Sequence, residues 1–328
     1  MDKSDQHSLL MKVGDLGKVS ENEARALLDE VSEDGIVSKS EAEAVFAINR
    51  QLDEAFPDWD LRFRTVLKDY LLTAEAPIGW MDEHECAWLI GQIAPYSDSV
   101  KLNEADLLLD LLPHAEGDPL GVVKCAFAAI IDISIRNGRV GRDLVERLRA
   151  LLLAGADREI AWITQWEAQG LLRINESVGF ARNDESWNHL YSRSMANHLM
   201  ARAHPDPEIM AEALDRTKWL VAPDEAELGG MYLLGIQSAD SGNWFEGFAP
   251  SGSTAKLAHE TARQLADQTG ISENEDEDWL INRLGWGNTI TSADRTLIRF
   301  LKDETPGFSL GMALATGDYQ VGSATAFS

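Results

Sequence analysis

Six positions between Glu30 and Glu41 carry oxygen in a pattern that a hard divalent cation can use. Glu30, Ser32 and Asp34 stand at places 1, 3 and 5 of a twelve-residue loop, Ile36 offers its carbonyl at place 7, and Ser38 and Glu41 stand at places 9 and 12. Gly35 holds the sixth place, where such a loop turns, and Val37 the eighth. Calcium takes six to eight oxygens of this kind, so the chemistry on offer is cation binding. One feature is irregular: place 1 is a glutamate, longer than the aspartate that normally begins these loops.

The same residues can do something simpler. A serine or threonine at a helix N-cap, with a carboxylate three residues on, satisfies two main-chain donors that a new helix leaves open, and an apolar residue just before it staples the first turn. Val19-Ser20 with Glu23, and Val37-Ser38 with Glu41, both have this form. It returns at Met81-Asp82 with Glu85, Leu102-Asn103 with Asp106, Ile271-Ser272 with Glu275, and Ile290-Thr291 with Asp294. These other copies separate the two explanations, because a cation site needs a full set of oxygens and a cap needs only two residues. The places that should hold ligands carry Lys12, Gly14 and Leu16 in the first copy, Ala74, Ala76 and Ile78 before Asp82, and Arg283, Gly285 and Gly287 before Thr291. Capping is therefore the expected cause of the motif, and calcium at the Glu30–Glu41 loop is the alternative.

Those caps start helices that recur along the chain. First helices are predicted near Ser20, Asp82, Gly141, Asp206 and Ser272, giving five units of roughly 63 residues. Seven positions past each start stand Leu27, Leu89, Leu148, Ala213 and Trp279, the apolar stripe of a helix that faces a neighbour. Longer apolar helices are predicted at 61–72, 119–134, 186–203 and 255–270. The expected architecture is all-α: tandem units of two short capped helices and one longer helix, stacked so that neighbours bury each other's faces. Residues 1–150 form an N-terminal half (units near 20, 82 and 141) and 151–328 a C-terminal half (units near 206 and 272). The fourth unit is broken by a glycine- and aromatic-rich insertion, 229–254.

The string SEDGIVSKSEAEAVFAI, residues 32–48, resembles the helix starts of TerB-like helical domains found in tellurite-resistance and DnaJ-associated proteins, and also the second half of an EF-hand loop. Asp34, Gly35, Val37 and Glu41 carry the match; Asn137, Gly138 and Val140 echo it, with Leu144 where the glutamate would stand. The resemblance spans about 20 residues per copy. It implies an all-helical module linked to stress response, in some members associated with a metal.

Composition limits the partners. The chain has 328 residues, 29 Lys and Arg against 55 Asp and Glu, and a net charge of −26, which disfavours a phosphate backbone and favours a basic protein partner. No run approaches 18 consecutive apolar residues and the N-terminal stretch has no signal-like apolar core, so no membrane span and a cytoplasmic location are expected. Cys86 and Cys125 sit in apolar windows, as buried reduced thiols do. His189 and His198 lie nine apart on one predicted helix, on opposite sides, and cannot share a ligand; the histidines are expected at surface or boundary positions. No HExxH, phosphate-binding glycine loop, nucleophile elbow or paired CxxC occurs. Trp244, Phe245 and Phe248, in the 229–254 insertion, are candidate binding anchors. The expected function is non-catalytic: an acidic helical-repeat adaptor or regulator that binds a protein partner, without a cofactor. The alternatives are a TerB-like or EF-hand-like calcium-binding sensor, and an enzyme with a pocket walled by the insertion.

Overall fold

A computed structural model describes residues 19–31, 37–52, 56, 58–73, 78–95, 100–154, 161–203, 214–221 and 290–304. Among these residues the secondary structure is helical, and the one β interaction is an isolated parallel bridge between Met81 and Ala115. Eleven α-helices follow in order: α1 (Glu21–Val31), α2 (Lys39–Gln51), α3 (Trp59–Thr73), α4 (Glu83–Ile93), α5 (Leu102–Leu111), α6 (Pro119–Arg136), α7 (Arg142–Ala154), α8 (Gln165–Val178), α9 (Glu185–Ala203), α10 (Arg216–Val221) and α11 (Ser292–Glu304). A 3-10 turn, Leu112–His114, follows α5. The chain falls into two compact units, residues up to Ile133 and residues from Ser134 onward.

Most helices begin where the sequence supplies an oxygen for the open amides. At α1 the Ser20 amide donates to Glu23 Oε2 at 2.8 Å and the Glu23 amide returns to Ser20 Oγ at 3.4 Å. Asp82 and Glu85 do the same at α4, each bond 2.9 Å long. Asp118 accepts from the Gly121 amide at the head of α6, and Asp184 from the Ser186 amide at the head of α9. Caps of this kind contribute about 1 kcal/mol each. They fix starting points, and burial of the apolar face then holds the helix in place.

The start of α5 differs from its predicted one. The cap lies at Lys101, not Asn103, and the acid that reaches back is Glu104, not Asp106: Glu104 Oε2 accepts from the Lys101 amide at 3.0 Å. Lysine has no acceptor to offer, so only half of the device forms here. Asn103 and Glu104 are instead turned inward, 5% and 3% exposed, into a polar cluster described below.

In the first unit α1 buries Ala24, Leu27, Leu28 and Val31, a one-sided stripe, and α3 buries Trp59, Phe63, Val66, Leu67 and Leu71. Phe46 of α2 meets Phe63 edge-on at 5.5 Å and Trp88 of α4 at 5.9 Å, so aromatic edges lock three helices together. In the second unit α9 packs most extensively against α11 and also touches α7, α8 and α10. Residues 191–199 of α9 are all buried, so this helix is covered on every side. That inverts an expectation: His198 is 3% exposed and its Nδ1 bonds to the Ile163 carbonyl at 2.9 Å, a core residue and not a boundary one. Leu27, Leu89 and Leu148 are buried as the stripe requires; Ala213, Trp279, the unit starts near 206 and 272, the helix at 255–270 and the insertion 229–254 lie outside the described residues.

Candidate functional site

Of the six residues proposed for a cation, the structure describes three, Glu30, Ser38 and Glu41. Ser38 and Glu41 face each other across the first turn of α2: the Ser38 amide donates to Glu41 Oε2 at 2.7 Å, the Ser38 hydroxyl to the same oxygen at 2.6 Å, and the Glu41 amide approaches Ser38 Oγ at 3.4 Å. Glu30 is exposed in the last turn of α1. Ser32, Asp34 and Ile36 lie outside the described residues, as do Trp244, Phe245 and Phe248. Among the described residues no group of three or more His, Cys, Asp or Glu is placed to hold a metal. The Ser38–Glu41 pair is a capping box, and one oxygen of its carboxylate is used in making it.

A further capping box, not anticipated from the sequence, has the same design. At α8 the Thr164 amide and hydroxyl both donate to Glu167 Oε2, at 2.8 and 2.6 Å. Here the other carboxylate oxygen has a partner as well. Arg216, at the head of α10, donates from Nη1 to Glu167 Oε1 at 2.7 Å and to the Leu152 carbonyl at 2.9 Å, and from Nη2 to the Trp162 carbonyl. The two side chains are 1% and 2% exposed. A pair this dry survives only because each charge is compensated at close range. The guanidinium also ties the end of α7 and the segment before α8 to the α8 cap. Among the described residues Glu41 has only Ser38 for a partner.

Deeper in each unit an asparagine joins a capping carboxylate to a neighbouring helix. Asn49 of α2, 1% exposed, donates to Glu104 Oε1 of α5 at 3.0 Å and accepts from the Trp59 indole at 2.9 Å and from Asn103 at 2.9 Å. Lys101 closes the group by donating to the carbonyls of Asn49 and Leu52 at the end of α2. In the second unit Asn175 of α8, 2% exposed, donates to Asp294 Oδ1 of α11 at 2.8 Å and to Thr291 Oγ1 at 3.1 Å. Thr291 in turn caps α11, its hydroxyl on Asp294 Oδ2 at 2.7 Å. The Tyr191 phenol donates to Asp294 Oδ1 at 3.1 Å; burial and the adjacent carboxylate push its pKa well above the ordinary phenol value, so it stays a donor. Asn49 and Asn175 each stand eight residues after the capping glutamate of their own helix, Glu41 and Glu167. Both follow an isoleucine, and that repeated Ile-Asn was the signal available in the sequence.

The thiols are held away from reaction. Burial raises the Cys125 pKa to about 11, with Glu104 adding to the rise, and burial also raises that of Cys86, which is fully covered. Both stay protonated near neutral pH and make poor nucleophiles or ligands in that form.

Comparison of the sequence with protein-family models, with curated proteins and with solved structures returns no match.

Proposed function

We propose that this chain is a non-catalytic helical-repeat protein, an adaptor or regulator, whose acidic surface receives a basic protein partner. The observation that carries this reading is the division of its acids. The buried ones, Glu41, Glu104, Glu167 and Asp294, spend their oxygens on main-chain amides, amide side chains, a phenol and one guanidinium. The other acids among the described side chains are exposed or half-exposed. Residues up to Ile133 hold 11 Lys and Arg against 27 Asp and Glu, a balance of −16 out of the chain's −26. Exposed acids such as Glu21, Glu23, Asp82 and Glu83 cluster at helix N-termini, where the dipole favours them and a cationic partner can reach them.

A repeat of about 63 residues is supported by the second-helix caps. Ser38, Lys101 and Thr164 stand 63 residues apart, and Thr291 follows 127 later, close to two further steps. Three times a shorter pair precedes a longer helix: α1 and α2 before α3, α4 and α5 before α6, α7 and α8 before α9. Stacked units of this type expose extended faces suited to protein binding. The test is retention of partners from cell extract on the immobilised chain at low and at high salt. An acidic interface releases them as salt rises; a chain that retains nothing at low salt overturns the reading.

A second reading is a divalent-cation sensor at Glu30–Glu41, with the TerB-like and EF-hand-like resemblance behind it. One observation favours it: Glu167 has a buried guanidinium against its second oxygen, and the corresponding Glu41 meets only Ser38 among the described residues. A cation would supply the missing charge. Thermal melts with and without millimolar calcium decide, since a ligand that binds only the native state raises the midpoint. No shift, with Glu41→Gln behaving as wild type, removes this reading.

A further inference from the structure

Ahead of α4, residues 78–81 place two apolar side chains in solvent on a backbone that is hydrogen-bonded at Gly79 and at Met81. Gly79, at φ +91°, donates its amide to the Leu72 carbonyl at 2.8 Å, and its own carbonyl is held by His114 Nδ1 at 2.9 Å. The Met81 amide donates to the His114 carbonyl at 2.7 Å and the Met81 carbonyl accepts from Gly117 at 3.1 Å. Met81 is fully buried, and the alternation of extended backbone turns Trp80 outward, while Ile78 stands in the turn before it. Ile78 is 73% exposed and Trp80 43%, the indole leaning on the His114 ring at 6.1 Å. A tryptophan whose backbone neighbours on both sides are hydrogen-bonded, close to an exposed isoleucine, has less backbone freedom to lose on binding.

The two paired runs that carry this patch hold one sign of charge. The two paired runs, residues 78–85 and 112–118, contain Asp82, Glu83, Glu85, Glu116 and Asp118 and no Lys or Arg. Asp82, Glu83 and Glu116 are exposed. Two such faces on copies of a chain of net charge −26 repel each other, and an anionic membrane is disfavoured for the same reason. What complements an apolar pair ringed by carboxylates is a segment with apolar anchors flanked by Lys or Arg, one cation of which can also sit over the indole face.

We propose that Ile78 and Trp80 form the anchor site for a basic amphipathic segment of a partner protein, with Glu83 and Glu116 as its charged rim. The proposal rests on the acidic-adaptor reading above and gives it a location. The probe is a fluorescein-labelled Lys/Leu amphipathic 14-residue peptide, titrated by anisotropy against the full chain at low and high salt, beside a peptide of equal charge with Ser in place of Leu. Saturable binding of the Leu peptide is expected. Trp80→Ala should weaken it about tenfold or more, as loss of a central aromatic anchor does, and Glu83→Lys with Glu116→Lys should weaken it and flatten its salt dependence. Leu61→Ser is the control: it is an exposed site on α3, about 16 Å along the helix from Leu72, and should change nothing. Trp80→Ala and Leu61→Ser alter exposed side chains and should melt with wild type, which separates loss of binding from loss of fold.

Binding that Trp80→Ala leaves unaltered, or that the Ser peptide matches, overturns this site and leaves the acidic-partner reading standing. Failure of the wild-type chain to bind either peptide at low salt counts against both. Trp80-dependent sedimentation with phosphatidylserine vesicles would assign the patch to lipid, and a dimer that Trp80→Ala converts to monomer would assign it to a second copy; either result overturns the proposal.

Discussion

The Asn49 and Asn175 clusters reach one arrangement with different side chains. Each has a buried asparagine on one helix donating to the capping carboxylate of another, Glu104 in the first unit and Asp294 in the second. The aromatic donor is the Trp59 indole in one and the Tyr191 phenol in the other, the capping position Lys101 in one and Thr291 in the other. Trp187, near the start of α9 as Trp59 is at the start of α3, is fully buried with no partner for its indole N–H, its donor role having passed to Tyr191 one turn further on. The difference teaches that the fixed element is the amide-to-carboxylate bond, because a charge at 3–5% exposure must be matched while the identity of the additional donors is free to change. The Glu41 and Glu167 caps differ more deeply, since only Glu167 has an arginine.

That contrast is most easily broken at Arg216. Replacing it with Met leaves Glu167 buried and uncompensated, which should cost about 3–5 kcal/mol in urea denaturation, and adding Glu167→Met should recover much of the loss. If Arg216→Met is neutral, the pair does not hold α7, α8 and α10 together. The clusters come next. Asn49→Leu removes the side-chain donor from buried Glu104 Oε1 and should cost about 2 kcal/mol; Asn175→Leu leaves Asp294 Oδ1 with the Tyr191 phenol and should cost less, and equal losses would show that the phenol does not compensate.

Caps sharpen the comparison with smaller effects. Ser38→Ala and Thr164→Ala should each lower stability by about 1 kcal/mol, and Ser20→Ala by less, because its bonds are exposed to water. The smallest effects are electrostatic. Ser20 hydrogen bonds hold the Glu23 carboxyl below its ordinary pKa, the hydroxyl contributing most, and Ser186 does the same for Asp184 with help from Arg142. A carboxylate whose pKa is lowered by folding adds stability above its unfolded pKa and loses it as pH falls through the folded value. Carboxyl NMR titrations should therefore place both midpoints below the usual range, with Ser20→Ala and Ser186→Ala returning them toward it.

Much of the helical order was readable because caps and apolar stripes are local: Ser20, Ser38, Asp82 and Thr291 start helices where their spacing says they should. Thr164-Gln-Trp-Glu167 had the same form and could have been found by that rule. Lys101 could not, since its cap is half formed by a residue with no acceptor, and Asn103 two residues on offered a better one. Arg216 was hidden for another reason. Its partner lies 49 residues away, and nothing in either local pattern states that the two will meet. The exposed patch at Ile78 and Trp80 was equally silent, because an Ile-Gly-Trp-Met run reads as core until the pairing of Met81 with Ala115 decides which residues face in.

Gly117 sets a limit on how this surface can vary. A methyl group on its α-carbon would lie 2.0 Å from the Glu83 nitrogen and 2.2 Å from the Asp82 carbonyl carbon, both main-chain atoms that no rotamer change can move. Every other amino acid at that position would lever the two runs apart and tip the indole beside them. Any descendant of this sequence that keeps the patch must keep that glycine, even where the caps and clusters have been rewritten.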